Sequence, residues 1–87
     1  MTRRAIKKLM RKASDALIAA RYHDAEKIYL QLLNAFDDGS GNLLDHAACI
    51  YLLSVALDGQ QRYEESLELS GFASELLSRY GLSVQAA

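Results

Sequence analysis

Apolar residues recur along this chain at three- and four-residue intervals, and in one stretch they hardly pause. From Leu43 to Leu57, LLDHAACIYLLSVAL, only Asp45, His46 and Ser54 interrupt an apolar or small run. A helix apolar on every side has to be covered on every side. The run is shorter than the about 20 residues a bilayer span needs, so the expected cover is protein. It is predicted to be the central helix of a helical domain. Upstream, Ala5, Ile6, Leu9, Met10, Ala13, Ala16, Leu17 and Ala20 share one side of a helix over about Arg3 to Ala20, with six basic residues opposite. A turn around Arg21 to His23 leads to a second helix, whose Ala25, Ile28, Tyr29, Leu32, Leu33 and Phe36 keep the i, i+3, i+4, i+7 pattern.

Asp37 to Gly41, DDGSG, is the one clear loop, and Asn42 stands where an N-cap is wanted, with Asp45 as a first-turn carboxylate. The central helix therefore starts near Leu43 and ends near Asp58 and Gly59. A fourth helix runs from about Tyr63 to Tyr80, opening on Glu64 and Glu65 and closing at Gly81, a good C-cap residue. Residues 82–87 are expected to fray. The domain thus reads as one unit: a hairpin over about 3–36, a loop at 37–42 and a second hairpin over about 43–81.

At about 100° per residue the central helix has three sides. Ile50, Leu53, Ser54 and Leu57 form one, expected to meet the fourth helix; Cys49 and Ala56 form another, expected to meet the second. Ala48, Tyr51, Leu52 and Val55 form the third, and nothing in the remaining pattern is left to cover it.

Eighty-seven residues bury only about 60 to 65 per cent of the surface their unfolded chain exposes, so stability is expected to be slight. Cys49 is the only cysteine, which rules out an internal disulfide, and no cysteine or histidine spacing of a metal site occurs. Oligomerisation or a partner is the remaining support. The start MTRRAIKKLMRK lacks the apolar stretch and cleavage site of a secretory signal, giving a cytoplasmic expectation. The net charge of -1 conceals a dipole: Arg3, Arg4, Lys7, Lys8, Arg11 and Lys12 crowd the first twelve positions, while every acidic residue lies at Asp15 or later.

Two helix pairs invite a search for an internal repeat. Arg21-Tyr22-His23-Asp24-Ala25 matches Arg62-Tyr63-Glu64-Glu65-Ser66, Arg21 falling on Arg62 and Tyr22 on Tyr63. At the same offset Leu9, Ala13 and Ala16 fall on Ile50, Ser54 and Leu57. Both units resemble the tetratricopeptide repeat, in which an aromatic and acids follow the turn, and a small residue lets the two helices approach. The likeness spans most of the chain. It departs from the family pattern at Lys12, where a leucine is usual, at Ser70, where an aromatic is usual, in the lack of proline, and in a spacing longer than the family's usual 34 or so. The resemblance implies an all-α fold of four antiparallel helices, arranged as two stacked tetratricopeptide-like helix-turn-helix hairpins.

It also implies a partner groove lined by the first helix of each pair. Carried over by position, that groove holds Lys7, Met10, Arg11, Ser14, Leu17 and Ile18, then Ala48, Tyr51, Leu52 and Val55. The lysine and asparagine set with which some members clamp a terminal carboxylate is lacking, with Met10 and Ser14 at relevant places. The implied ligand is an amphipathic protein segment with leucines and acids, or a second copy of the chain. Leu69, Phe72, Leu76 and Tyr80 on the fourth helix form an edge that would support a next repeat, which predicts a homo-oligomer or heterocomplex.

The basic side of the first helix fits nucleic acid, an anionic membrane, or plain solvation, and solvation is the commonest use of such a face. No aromatic interleaves the charges before Tyr22, which weakens the nucleic-acid option. Catalysis finds little support. His46 and Cys49 lie one turn apart, yet a core-facing cysteine is an inert thiol. DDGSGNLLD lacks the ligand order and terminal glutamate of a calcium loop, and no lysine follows the Gly39-Ser40-Gly41 segment as a phosphate loop requires. No cofactor is expected.

Overall fold

The computed structural model describes residues 1–39 and 42–79. Within them lie four helices: α1 (Arg3–Ile18), α2 (Tyr22–Asp37), α3 (Leu43–Gly59) and α4 (Tyr63–Ser78). The expected positions of Tyr80, Gly81 and residues 82–87 lie outside the described residues, as do Ser40 and Gly41 of the loop. Each hairpin opens on a side-chain cap. The Thr2 hydroxyl accepts from the Ala5 amide at 3.1 Å, and the Asn42 carbonyl oxygen accepts from the Asp45 amide at 2.8 Å. Each cap satisfies one of the donors a helix start leaves free.

The turns inside the hairpins contain no glycine, yet both adopt one conformation. Ala20 and Gln61, equivalent positions of the two repeats, take positive φ of 59° and 62°. The Ala20 amide donates to the Leu17 carbonyl and Arg21 to Ala16; Gln61 donates to Asp58 and Arg62 to Leu57. Both sets are the paired bonds of a Schellman ending, which satisfy the last carbonyls of the first helix while reversing the chain. The next residues, Arg21 and Arg62, share φ near -90° and ψ near 67° and start α2 and α4 at equivalent positions. The repeat is thus a property of the backbone as well as of the sequence.

The helices pack in chain order, α1 on α2, α2 on α3 and α3 on α4, and each pair is antiparallel across its short connection. Three alanines, Ala13, Ala25 and Ala56, are wholly buried, one on each of α1, α2 and α3. Their lack of bulk sets how closely these helices approach, and Leu32, Tyr29, Ile6, Leu53 and Phe36 fill the space around them. As its faces predict, α3 turns Cys49 to α2, where the thiol donates to the Tyr29 carbonyl at 3.6 Å, and Ser54 to α4, where Ser66 donates to its carbonyl at 2.8 Å. Phe36 stacks on His46 at 5.2 Å between ring centres, which explains how a histidine sits comfortably near the start of an apolar helix. The Tyr29 hydroxyl is buried without a hydrogen-bond partner.

One polar cluster ties the hairpins together. Glu26 on α2 accepts from Arg62 at 2.8 and 2.9 Å and from Gln60 at 3.0 Å. Arg62 also reaches Glu65 at 2.6 Å. Burial alone would raise the Glu26 pKa, but the hydrogen bonds from Gln60 and Arg62 and the charge of Arg62 outweigh it and hold the carboxyl below its ordinary 4.5. A carboxyl depressed in the folded state adds stability above its unfolded pKa and loses it as pH falls through the folded value. Glu26→Gln is accordingly expected to lower the melting temperature at neutral pH and to converge on the wild-type value in acid. Circular-dichroism melts across that range check it, and a gap that persists in acid would assign the stabilisation elsewhere.

Candidate partner-binding surface

Two sides of α3 are taken by α2 and α4, and the third is open. Leu44, Ala48, Tyr51 and Val55 follow one another at four-, three- and four-residue steps, so they form a single stripe along the helix. Leu44 is 61% exposed, Tyr51 45% and Val55 37%. Ala48 is exposed as well, whereas Leu52 is half-buried against the core. Leu44 was outside the residues carried over by position, although its spacing from Ala48 and Tyr51 signals the stripe.

On α1, Lys7, Arg11, Ser14 and Ile18 are exposed, while Met10 and Leu17 are half-buried against the core. Both α1 and α3 are antiparallel to α2 and so run in the same direction. Their starts adjoin: Arg3 and Ile6 share a depression of about 260 Å³ with Asn42 and Asp45. From these two anchors the helical period places Lys7, Met10 and Ser14 along the edge nearest the open side of α3. The surface is therefore an apolar stripe bordered on one flank by cations.

The other flank comes from α4. Ala73 and Leu77 are buried, and Ser66 bonds to α3, so this side of α4 faces inward. About 60 to 100° round the helix on one side stand Tyr63 and Leu67, next to the open stripe of α3. Leu69 and Phe72 lie round the other way. There they line a second, separate groove of about 210 Å³ with Leu33, Asp37, His46 and Ile50, between α2 and α4 over the first half of α3. Leu76 and Phe72 bound a shallow dent with Glu75 and Arg79. Of the four edge residues read from the sequence, Leu69 and Phe72 thus border the groove beside α2, Leu76 adjoins Phe72, and Tyr80 lies outside the described residues.

Burial pushes the Cys49 thiol up to about 12, so it stays protonated at neutral pH and is a poor nucleophile. Burial likewise raises Tyr29 to about 12, with Cys49 adding to the shift. Among the described residues no group of three or more histidine, cysteine, aspartate or glutamate side chains is placed to hold a metal ion. No described helix is long and apolar enough to cross a membrane. No protein-family model, curated protein or solved structure matches the chain.

Proposed function

We propose that this protein is a non-enzymatic interaction module, a small adaptor or chaperone, that receives an amphipathic helix of a partner protein on its α1–α3 face. The observation that carries the reading is the exposed stripe of Leu44, Ala48, Tyr51 and Val55, with the cations Arg3 and Lys7 of α1 on its border. A helix presenting leucines at i, i+3, i+4 and i+7 would bury them on the stripe, and acids along its border would meet the cations of α1. The likeness of both hairpins to the tetratricopeptide repeat, whose members bind peptides on the same face, supports this assignment.

The test uses a fluorescent helical peptide with a leucine seam and a glutamate border. Tyr51→Glu places a charge at the centre of the stripe and is expected to weaken binding at least tenfold, about 1.4 kcal/mol, with the helical signal retained. Because Tyr51 is about half exposed, little core is lost. Unaltered binding by a folded Tyr51→Glu variant would end the proposal. A second reading rests on the exposure of all six cations of α1, which suits a nucleic acid or an anionic membrane. Reversing Lys7, Lys8 and Arg11 separates the two: it abolishes polyanion binding but only moderates binding of the leucine-seamed peptide.

A further inference from the structure

We propose that copies of this chain stack head to tail, the α4 end of one molecule seating on the α1 end of the next. Inside the chain, two of the contacts by which α2 holds the second hairpin lie at its end near the turns. The Tyr22 ring lies over Gly59, so close that a Cβ there would fall 2.5 Å from it, and Glu26 takes Arg62. The internal repeat gives each of these groups a counterpart at an end of the molecule. On α4, Tyr63 stands for Tyr22 and Leu67 for Glu26; at the α1 end, Ile18 stands for Gly59 and Arg21 for Arg62.

These counterparts face outward. Ile18 is 83% exposed, Leu67 74% and Tyr63 59%, large apolar side chains at both ends of a chain with a small core. Setting a second copy on the first by the relation that joins the two hairpins brings Tyr63 and Leu67 onto Ile18 and the aliphatic stem of Arg21. Apolar contact replaces the ion pair. Ile18 has bulk where Gly59 has none, so the junction between molecules is wider than the one within them.

Charge selects this arrangement over a twofold one. α1 carries six basic residues and one acid, α4 four glutamates and no basic residue. Pairing like ends about a twofold axis would oppose like charges, whereas pairing unlike ends is attractive. An open groove of about 490 Å³ between α1 and α2 lies where the α4 of a neighbour would enter. Lys12, Arg21 and Lys27 line it, with Asp15 and Asp24 among them, and Glu64, which holds on α4 the place that His23 holds beside Glu26 on α2, is the exposed acid that would come near Arg21. A contact between unlike ends leaves one of each free, so the product is an open chain whose length grows with concentration.

Sedimentation velocity on the full chain at low ionic strength tests this. The expected result is a sedimentation coefficient that climbs with concentration and returns to the monomer value at several hundred millimolar salt. Lys8→Glu with Lys12→Glu cuts the positive excess of α1 from five charges to one, and Glu64→Lys with Glu68→Lys brings α4 from four negative charges to none. Each double variant alone should self-associate at least tenfold more weakly, and an equimolar mixture should assemble again. None of these four residues belongs to the Glu26 cluster or to the α3 stripe, and circular dichroism confirms that each variant is folded. A wild-type monomer at all concentrations, a closed dimer indifferent to both reversals, or folded variants whose mixture stays monomeric would each overturn the proposal.

Discussion

Leu32→Ala is expected to cost about 3 kcal/mol, a large share of what holds so small a domain folded. Leu32 is wholly buried, in the middle of α2 and in the cluster that joins α1, α2 and α3. Truncating such a side chain forfeits its transfer from water and leaves a cavity, typically about 2 to 5 kcal/mol together. At about 0.05 to 0.15 kcal/mol per residue, the whole domain holds about 4 to 13 kcal/mol. Leu30, two positions away on the same helix, is 47% exposed, and its replacement by alanine should cost under about 1 kcal/mol. Urea titrations of the two variants measure the contrast directly. Equal losses would mean that α2 is rotated from this orientation.

Gly59→Ala should destabilise by about 2 kcal/mol, within the range that overpacking brings, even though alanine is the better helix former. Gly59 is the last residue of α3 and has no positive φ, so alanine meets no backbone objection. The new methyl group would instead fall 2.5 to 2.6 Å from three atoms of the Tyr22 ring. The ring would have to leave, opening the seam between hairpins at a cost of about 1 to 3 kcal/mol. The sign reverses once the ring is gone. In a Tyr22→Ala background the same substitution is expected to stabilise by up to about 1 kcal/mol, through helix propensity alone. Melting the four proteins of this cycle gives a coupling that no purely local account of Gly59 produces.

Much of the architecture was legible because local patterns and long-range packing agree. The 3.6-residue period of α2, the Asn42 cap and the start of α4 at Tyr63 all appear where the residues place them. The three sides of α3 were legible too, since Cys49, Ser54 and Tyr51 differ by fixed rotations about one axis. The helix ends were less so. α1 stops at Ile18 rather than Ala20, because a Schellman turn built on Ala20 and Arg21 reverses the chain without the glycine that normally signals it. Edge and surface assignments on α4 were harder still. Apolar residues surround most of that helix, so its sequence could not say whether Phe72 or Leu67 looked outward.

The sequence by itself determined that this chain is helical, where its helices start, that its second half repeats its first with Tyr63 on Tyr22, and that its charge is split between its two ends. Each of these depends on residue type and spacing along one helix or one turn, information the chain carries locally. Only the tertiary structure decided that Glu26 pairs across the hairpins with Arg62, that Gly59 is held bare by Tyr22, and that Leu44 extends the open stripe while Leu69 and Phe72 border a different groove. Those facts depend on the rotation and depth at which one helix meets another, which the summed packing of the buried alanines and leucines sets and no single stretch of sequence encodes.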